Sequence, residues 1–355
     1  MGEQRLAHAS PAVPELAACY TPGMLRSVAT LARWLGPWAS ATRAPEVPRR
    51  DEQVDDMRVR IYGTRGTPFL IAPGLHYAGA DDPRLDRFCR VLAAAGHLVI
   101  APFVPAYLAL APSERAKHDF IRALHAVPRW SAQRPVVFSV SFGSLLALAA
   151  AAEHGDAIAG LVLFGGYADF AAVMRHCLSG VGRDPLNQPV VLQNLLPHVE
   201  PAPADPAALV AGWRRYVERT WGRPEMKARD RYVAIAHELA PGVPASVREL
   251  FLVGIGAVPG AAELAEAALQ RFDARALDPA PYLPRIRHRV DLVHGTDDDV
   301  IPYAQSHALA AGLVHADVRT HITGLYGHTG SVLPRPASLA RELATMVRVL
   351  RVLGQ

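Results

Sequence analysis

Apolar and polar positions along this chain follow two alternating periods, and the changes of period mark its elements. Met57–Tyr62 and Phe69–Ala72 read as strands. Asp82–Ala95 has helical spacing and ends at Gly96. His97-Leu98-Val99-Ile100-Ala101-Pro102 is the next strand, and Lys117–Val127 the next helix. Residues 135–140 and 158–164 read as strands on either side of a helix, Ser144-Leu145-Leu146-Ala147-Leu148-Ala149-Ala150-Ala151-Ala152-Glu153. Strands that alternate with helices predict a mostly parallel sheet covered on both faces.

The rhythm breaks between 169 and 284. Helical patterns fall at about 206–220, 226–239, 245–254 and 260–274, with Pro and Gly between them and no clear strand. An insertion of this kind predicts a helical cap or lid, with Trp213, Tyr216, Trp221, Tyr232, Phe251 and Leu252 as its apolar side chains. Most of these belong in the cap's own core rather than against a ligand. Residues 285–355 return to strand, helix and strand, then a last helix over Ala337–Leu353. Before the sheet, residues 1–50 are rich in Ala and Pro. Within them Met24, Leu25, Val28, Leu31, Ala32, Leu35 and Trp38 fall at helical spacing. That stripe predicts an N-terminal helical extension packed on the core; covering a site mouth or lying on a membrane surface are the other uses of such a face. Pro45–Asp56 reads as a linker. The expected organisation is therefore an extension at 1–50, a core in two parts at 51–168 and 285–355, and the helical cap at 169–284.

Composition changes this picture little. The chain has 355 residues, half of them apolar and 20% charged, with a formal net charge of +4. This is ordinary globular material. The basic residues are scattered, so no nucleic-acid partner is expected. Cys19, Cys89 and Cys177 show neither metal spacing nor a disulfide framework. Cys89 falls in a helical stretch and reads as a small core residue. The first residues lead to no apolar signal segment, and no apolar run reaches membrane-spanning length, so the expected compartment is the cytoplasm.

The chemistry begins at Ser139-Val140-Ser141-Phe142-Gly143, directly after the apolar run Pro135-Val136-Val137-Phe138. A strand that runs into a small-residue pentapeptide and then a helix has the layout of a nucleophile elbow, with Ser139 in the place of its usual first Gly. Such a turn lifts one hydroxyl, here Ser141, clear of the backbone. A Ser- and Gly-rich junction without catalytic use is the plainer reading of the pentapeptide alone. Far downstream, Val290–Gly295 reads as a strand, followed by Thr296-Asp297-Asp298-Asp299-Val300-Ile301-Pro302. Asp317–Thr323 reads as the last strand, closed by Gly324-Leu325-Tyr326-Gly327-His328. Ser, Asp and His in this order fit one constellation: a hydroxyl nucleophile, a base that takes its proton, and a carboxylate that orients the base. Three adjacent acids also suggest a calcium loop, but that pattern wants alternating acids and a Gly in a longer loop.

With these motifs the chain resembles the α/β-hydrolase fold family over roughly 56–168 and 285–355. The resemblance implies a mostly parallel central sheet flanked by helices, with a helical cap insertion. It places the nucleophile at Ser141, the acid at Asp298 and the base at His328; Asp297 and Asp299 stay open as acids. It also implies an oxyanion hole. After the strand ending at Ala72 comes Pro73-Gly74-Leu75-His76-Tyr77, and the N–H groups of Leu75 and Phe142 would bind the developing oxyanion. His76 and Tyr77 would line the mouth of the substrate pocket, although His76 reads equally well as a surface-loop histidine. His294 and His321 are expected to be structural. The implied activity is serine hydrolysis of a carboxylic ester of a mainly apolar small molecule through an acyl-enzyme, with no metal or organic cofactor. A thioesterase, amidase, peptidase or acyltransferase would use the same residues. A binding protein that kept the fold without catalysis is the reading of a different class.

Overall fold

A computed structural model describes residues 21–327, 330–331 and 339–354. The order begins with helix α1 (Pro22–Leu35), strands β1 (Arg49–Val54), β2 (Met57–Tyr62) and β3 (Pro68–Ala72), then α2 (Pro83–Ala94) and β4 (Leu98–Pro102). Helices α3 (Pro105–Leu108) and α4 (Glu114–Ala126), strand β5 (Val136–Val140), helix α5 (Gly143–Glu153) and strand β6 (Gly160–Phe164) follow. A strand-free stretch then carries α6 (Phe170–Ser179), α7 (Gln188–Leu195), α8 (Pro206–Thr220), α9 (Arg229–Leu239), α10 (Ala245–Ile255) and α11 (Ala261–Leu269). Strand β7 (Arg289–Gly295), helix α12 (Ala304–Gly312), strand β8 (Asp317–Thr323), a two-stranded ribbon of β9 (Tyr326–Gly327) and β10 (Gly330–Ser331), and helix α13 (Leu339–Leu353) complete the order.

The main sheet has the order β1-β2-β4-β3-β5-β6-β7-β8. Its first two pairings, β1 with β2 and β2 with β4, are antiparallel. From β4 to β8 every pairing is parallel. Strands buried on both faces must be apolar at consecutive positions, and β3 and β4 are buried throughout. Leu70 and Ala72 face one apolar cluster while Phe69 and Ile71 face the other, so the strand period of two divides the core between the two faces. The second cluster is covered by α2, α1 and α13: Leu31 of α1 is fully buried, with Met346, Leu350 and Leu353 in the same cluster. The stripe on α1 thus packs on the core. Leu25 and Trp38, counted in that stripe, are exposed. Cys89 is fully buried on the same side.

Two local expectations fail. Arg49–Val54, read as linker, is the edge strand β1. It has no apolar alternation because it lies outside the core, and charges hold its register. Asp51 faces Arg60 across the pair and receives its guanidinium through two hydrogen bonds, at 2.6 and 2.9 Å. Helices α6 and α7 also lie where no periodic pattern was read. Both are short, and α7 is buried along most of its length, so it lacks a polar face.

Candidate active site

The register places three loops at the carboxyl ends of parallel strands. The loop after β3 carries Pro73–Tyr77, the loop after β5 carries Ser141, and the loop after β7 carries Thr296–Pro302. Neighbouring parallel strands bring such loops together, which is where open α/β sheets keep their sites.

Ser141 is the sharpest local feature. Its φ is +55°, a left-handed value rare for a residue with a side chain. The turn is fixed on both sides: the Ser141 N–H donates to the Phe164 carbonyl at 2.8 Å, and the Ser144 N–H donates to the Ser141 carbonyl at 3.0 Å. Gly143 is required by crowding. A Cβ there would lie 2.2 Å from the Ala72 carbonyl oxygen and 2.6 Å from that of Pro73. Ser139, where the usual pattern has Gly, is fully buried within β5, and its hydroxyl has no hydrogen-bond partner among the described residues.

The N–H groups of Leu75 and Phe142 make no backbone hydrogen bond among the described residues. Both residues line one cavity with Ser141. Phe142 is the residue before the first turn of α5, so its N–H sits at the positive end of a helix. Tyr107 adds a contact that no sequence signal revealed. Its buried hydroxyl donates to the Phe142 carbonyl at 2.8 Å and so holds the backbone next to Ser141.

His76 lines the same cavity. Its Nδ1 accepts the Ala78 N–H at 3.2 Å, so the proton is on Nε2, 3.1 Å from Asp82 Oδ2. Burial holds its pKa down to about 4, against the pull of the Asp82 carboxylate, and it is neutral at neutral pH. Asp82 also accepts both the Nε and an Nη of Arg84, and caps α2. Tyr77, expected at the pocket mouth, lies outside the cavity wall. Its ring stacks on His76 at 4.5 Å and takes the Arg214 guanidinium at 5.2 Å.

The three adjacent acids have three separate environments. Asp297 is exposed. Asp298 is buried, and its Oδ1 accepts the N–H groups of Val300 and Ile301 at 2.9 and 2.8 Å. Asp299 faces Lys227. They do not converge as a calcium loop would, and among the described residues no group of three or more His, Cys, Asp or Glu side chains is placed to hold a metal ion. His294 is fully buried. Its Nε2–H faces the Ile301 carbonyl at 2.8 Å and Asp298 Oδ2 at 3.4 Å, while its Nδ1 accepts the Ser306 hydroxyl at 2.7 Å. Both ring nitrogens are used in folding this turn. His321 sits on β8 with Nε2 3.0 Å from Asp291, itself held by Arg289. His328, the expected base, lies outside the described residues.

The cavity measures about 110 Å³. Its apolar wall comes from Phe170, Met174 and Cys177 of α6 and from Val190 and Val191 of α7. Trp221, Arg223 and Lys227, from the stretch after α8, complete its far side. Of the aromatic residues expected in the helical segment, Trp213, Tyr216, Tyr232 and Phe251 are buried within it, and Trp221 reaches the cavity.

This sheet order, with its elbow and its helices on both faces, is the α/β-hydrolase fold. No protein-family model matches the chain. Among solved structures it is similar to an acylaminoacyl peptidase from Pyrococcus horikoshii at 10% identity and a TM-score of 0.45, over 87% of this chain and 41% of the peptidase. This chain therefore spans less than half the length of that protein. It is similar to a serine hydrolase from the polyaromatic-hydrocarbon-degrading bacterium Cycloclasticus zankles at 14% identity and a TM-score of 0.45, over 86% of this chain and 98% of the other. A meta-cleavage product hydrolase from Pseudomonas fluorescens resembles it at 15% identity and a TM-score of 0.41, over 84% of this chain and 94% of the other. No helix among the described residues is long and apolar enough to cross a membrane.

Proposed function

We propose that the protein is a serine hydrolase that cleaves a carboxylic ester of a mainly apolar small molecule. One observation carries this reading: Ser141 is held at φ +55° in the wall of a cavity that also holds Leu75 and Phe142. A left-handed serine between a strand and a helix costs stability, and such strain is kept where it serves a site.

In this reading the Ser141 hydroxyl attacks the ester carbonyl and its proton passes to His328. The oxyanion of the tetrahedral intermediate is met by the N–H groups of Leu75 and Phe142. The C–O bond breaks, and the alcohol leaves with the proton from His328. Water then attacks the acyl-enzyme, gives its proton to His328, and the acid is released as Ser141 recovers its own. Asp298 orients His328 and stabilises its charged form. The apolar wall from α6 and α7 supports an apolar acyl or alcohol group, with the helical segment acting as the cap.

The test is a fluorophosphonate probe together with a panel of p-nitrophenyl esters and acyl-CoA thioesters. Labelling that maps to Ser141 and vanishes in Ser141→Ala, with turnover of an ester, is the expected result. Absence of both labelling and turnover would favour a binding protein on a hydrolase fold. Turnover confined to the thioesters would move the substrate class.

A further inference from the structure

The helical segment grips the acid loop as well as covering the nucleophile. Lys227 ends a single turn, Pro224–Lys227, and puts its ammonium between two carboxylates. Asp184 Oδ2 is 2.9 Å away, and Asp299 is hydrogen-bonded to the same nitrogen. A second contact reinforces the first: the Asp184 backbone N–H donates to the Asp299 carbonyl at 2.8 Å. Asp184 is itself anchored, since its Oδ1 accepts the Leu186 N–H at 2.9 Å. The cluster is largely withdrawn from water, with side-chain exposures of 6% for Asp184, 22% for Asp299 and 26% for Lys227. Asp299 is therefore held through both its backbone and its side chain by residues remote in sequence. It adjoins Asp298, whose carboxylate is aimed by the next two N–H groups of the same turn.

We propose that Lys227 is a positioning residue for the hydrolytic reaction: by holding Asp299 it fixes the turn that aims Asp298. This rests on the serine-hydrolase reading with Asp298 as its acid. Lys227 also lines the cavity, and a lysine there invites a different use, the capture of an anionic substrate group. The charges argue against that. The ammonium is already taken up by its own two carboxylates, which leaves it little charge to offer an anion. Loss of the ammonium would leave two part-buried carboxylates facing each other with no cation between them, and like charges so placed push apart. Asp184 is tied to the Leu186 N–H, so the push acts on Asp299 and on the turn it shares with Asp298. A displacement of about 1 Å at a catalytic group lowers turnover by the order of a hundredfold.

The experiment compares Lys227→Met, Lys227→Arg and Asp299→Asn with the wild type on a p-nitrophenyl ester that the wild type cleaves. Lys227→Met is expected to lower kcat about tenfold or more while KM moves little, the signature of an effect on the chemical step rather than on binding. Lys227→Arg keeps a cation between the carboxylates and is expected to recover most of the loss. Asp299→Asn weakens the same contact without stranding a charge, so it shows the same kcat-only loss at smaller size. It keeps the proposal testable if Lys227→Met does not fold. A rise in KM with kcat intact would make Lys227 a substrate contact and overturn the proposal. So would unchanged kcat in Lys227→Met or Asp299→Asn, or an Arg variant no better than Met. If Asp298→Asn is itself without effect, the hydrolase reading fails; if Asp298→Asn is crippling and Lys227→Met silent, only the positioning role fails.

Discussion

Replacing Ser141 by alanine and, separately, by glycine tests both the chemistry and the strain at the elbow. At φ +55° a side chain crowds the following carbonyl, at a cost of about 1–2 kcal/mol. Alanine keeps that cost. Glycine removes it, but loses about 0.5–1 kcal/mol more in chain entropy on folding. The balance makes Ser141→Gly as stable as Ser141→Ala or more stable, by up to about 1.5 kcal/mol. Neither variant has a hydroxyl, so both are expected to lose ester turnover and fluorophosphonate labelling. Stability is read from urea unfolding followed by far-UV circular dichroism, with midpoints compared at equal m. Activity is read from p-nitrophenol release by matched amounts of folded protein. An alanine variant that keeps more than a few per cent of wild-type turnover refutes Ser141 as the nucleophile. A glycine variant less stable than the alanine one refutes the strain argument, whatever the activities show.

Asp298→Asn is expected to lower kcat by orders of magnitude, about 10⁴ in the best-characterised serine triad. Asp297→Asn, at an exposed side chain, is expected to be mild, and Asp299→Asn far milder than Asp298→Asn; a crippling effect of Asp299→Asn would move the acid by one residue. His328→Gln is expected to abolish turnover, while His294→Gln and His321→Gln act through folding. Normal activity in His328→Gln with loss in His321→Gln would overturn the assignment of His328 as the base. Away from the site, burial holds His97 neutral with its pKa down to about 4. The unfolded chain therefore binds a proton that the native state refuses between about pH 6.5 and 4, and native stability falls as pH falls through that window. His97→Gln is expected to reduce the loss between pH 7 and pH 5 by about 2 kcal/mol. Urea titrations at the two pH values check this, and equal losses in the two proteins would refute it.

What the sequence made legible was governed by local rules. The central strands β3 and β4 are apolar runs because both faces of the sheet are covered there. The elbow could be read because Gly143 and Ser141 answer to one crowded turn. The three acids of the triplet, alike in sequence, differ in environment: Asp297 is exposed, Asp298 accepts two N–H groups of its own loop, and Asp299 faces Lys227. The misses were non-local. Arg49–Val54 looks like linker until Arg60 is placed opposite Asp51. Tyr107 is an unremarkable tyrosine until its hydroxyl meets the Phe142 carbonyl. Lys227 stands 72 positions from Asp299, and no pattern along the chain connects them. For Tyr77, expected with His76 at the pocket mouth, the contacts that set its ring are likewise non-local in part: it stacks on His76 and meets Arg214.

The insertion of all the helices from α6 to α11 between β6 and β7 also has a consequence in time. Leu75, Ser141 and Phe142 belong to strands and turns completed by residue 164, and every strand pairing from β1 to β6 lies within that stretch. The β6–β7 pairing, Leu161 with Val290 onward, must first close a loop that holds the whole helical segment. Closing a flexible loop of about 125 residues costs about 4 kcal/mol in chain entropy. Local structure inside the loop lowers that figure, but the order of events stands. A refolding chain is expected to build the turns that carry Ser141, Leu75 and Phe142 early and to place Asp298 late. Recovery of turnover is therefore expected to trail recovery of helix and strand signals, and a chain still folding carries a serine that cannot yet act.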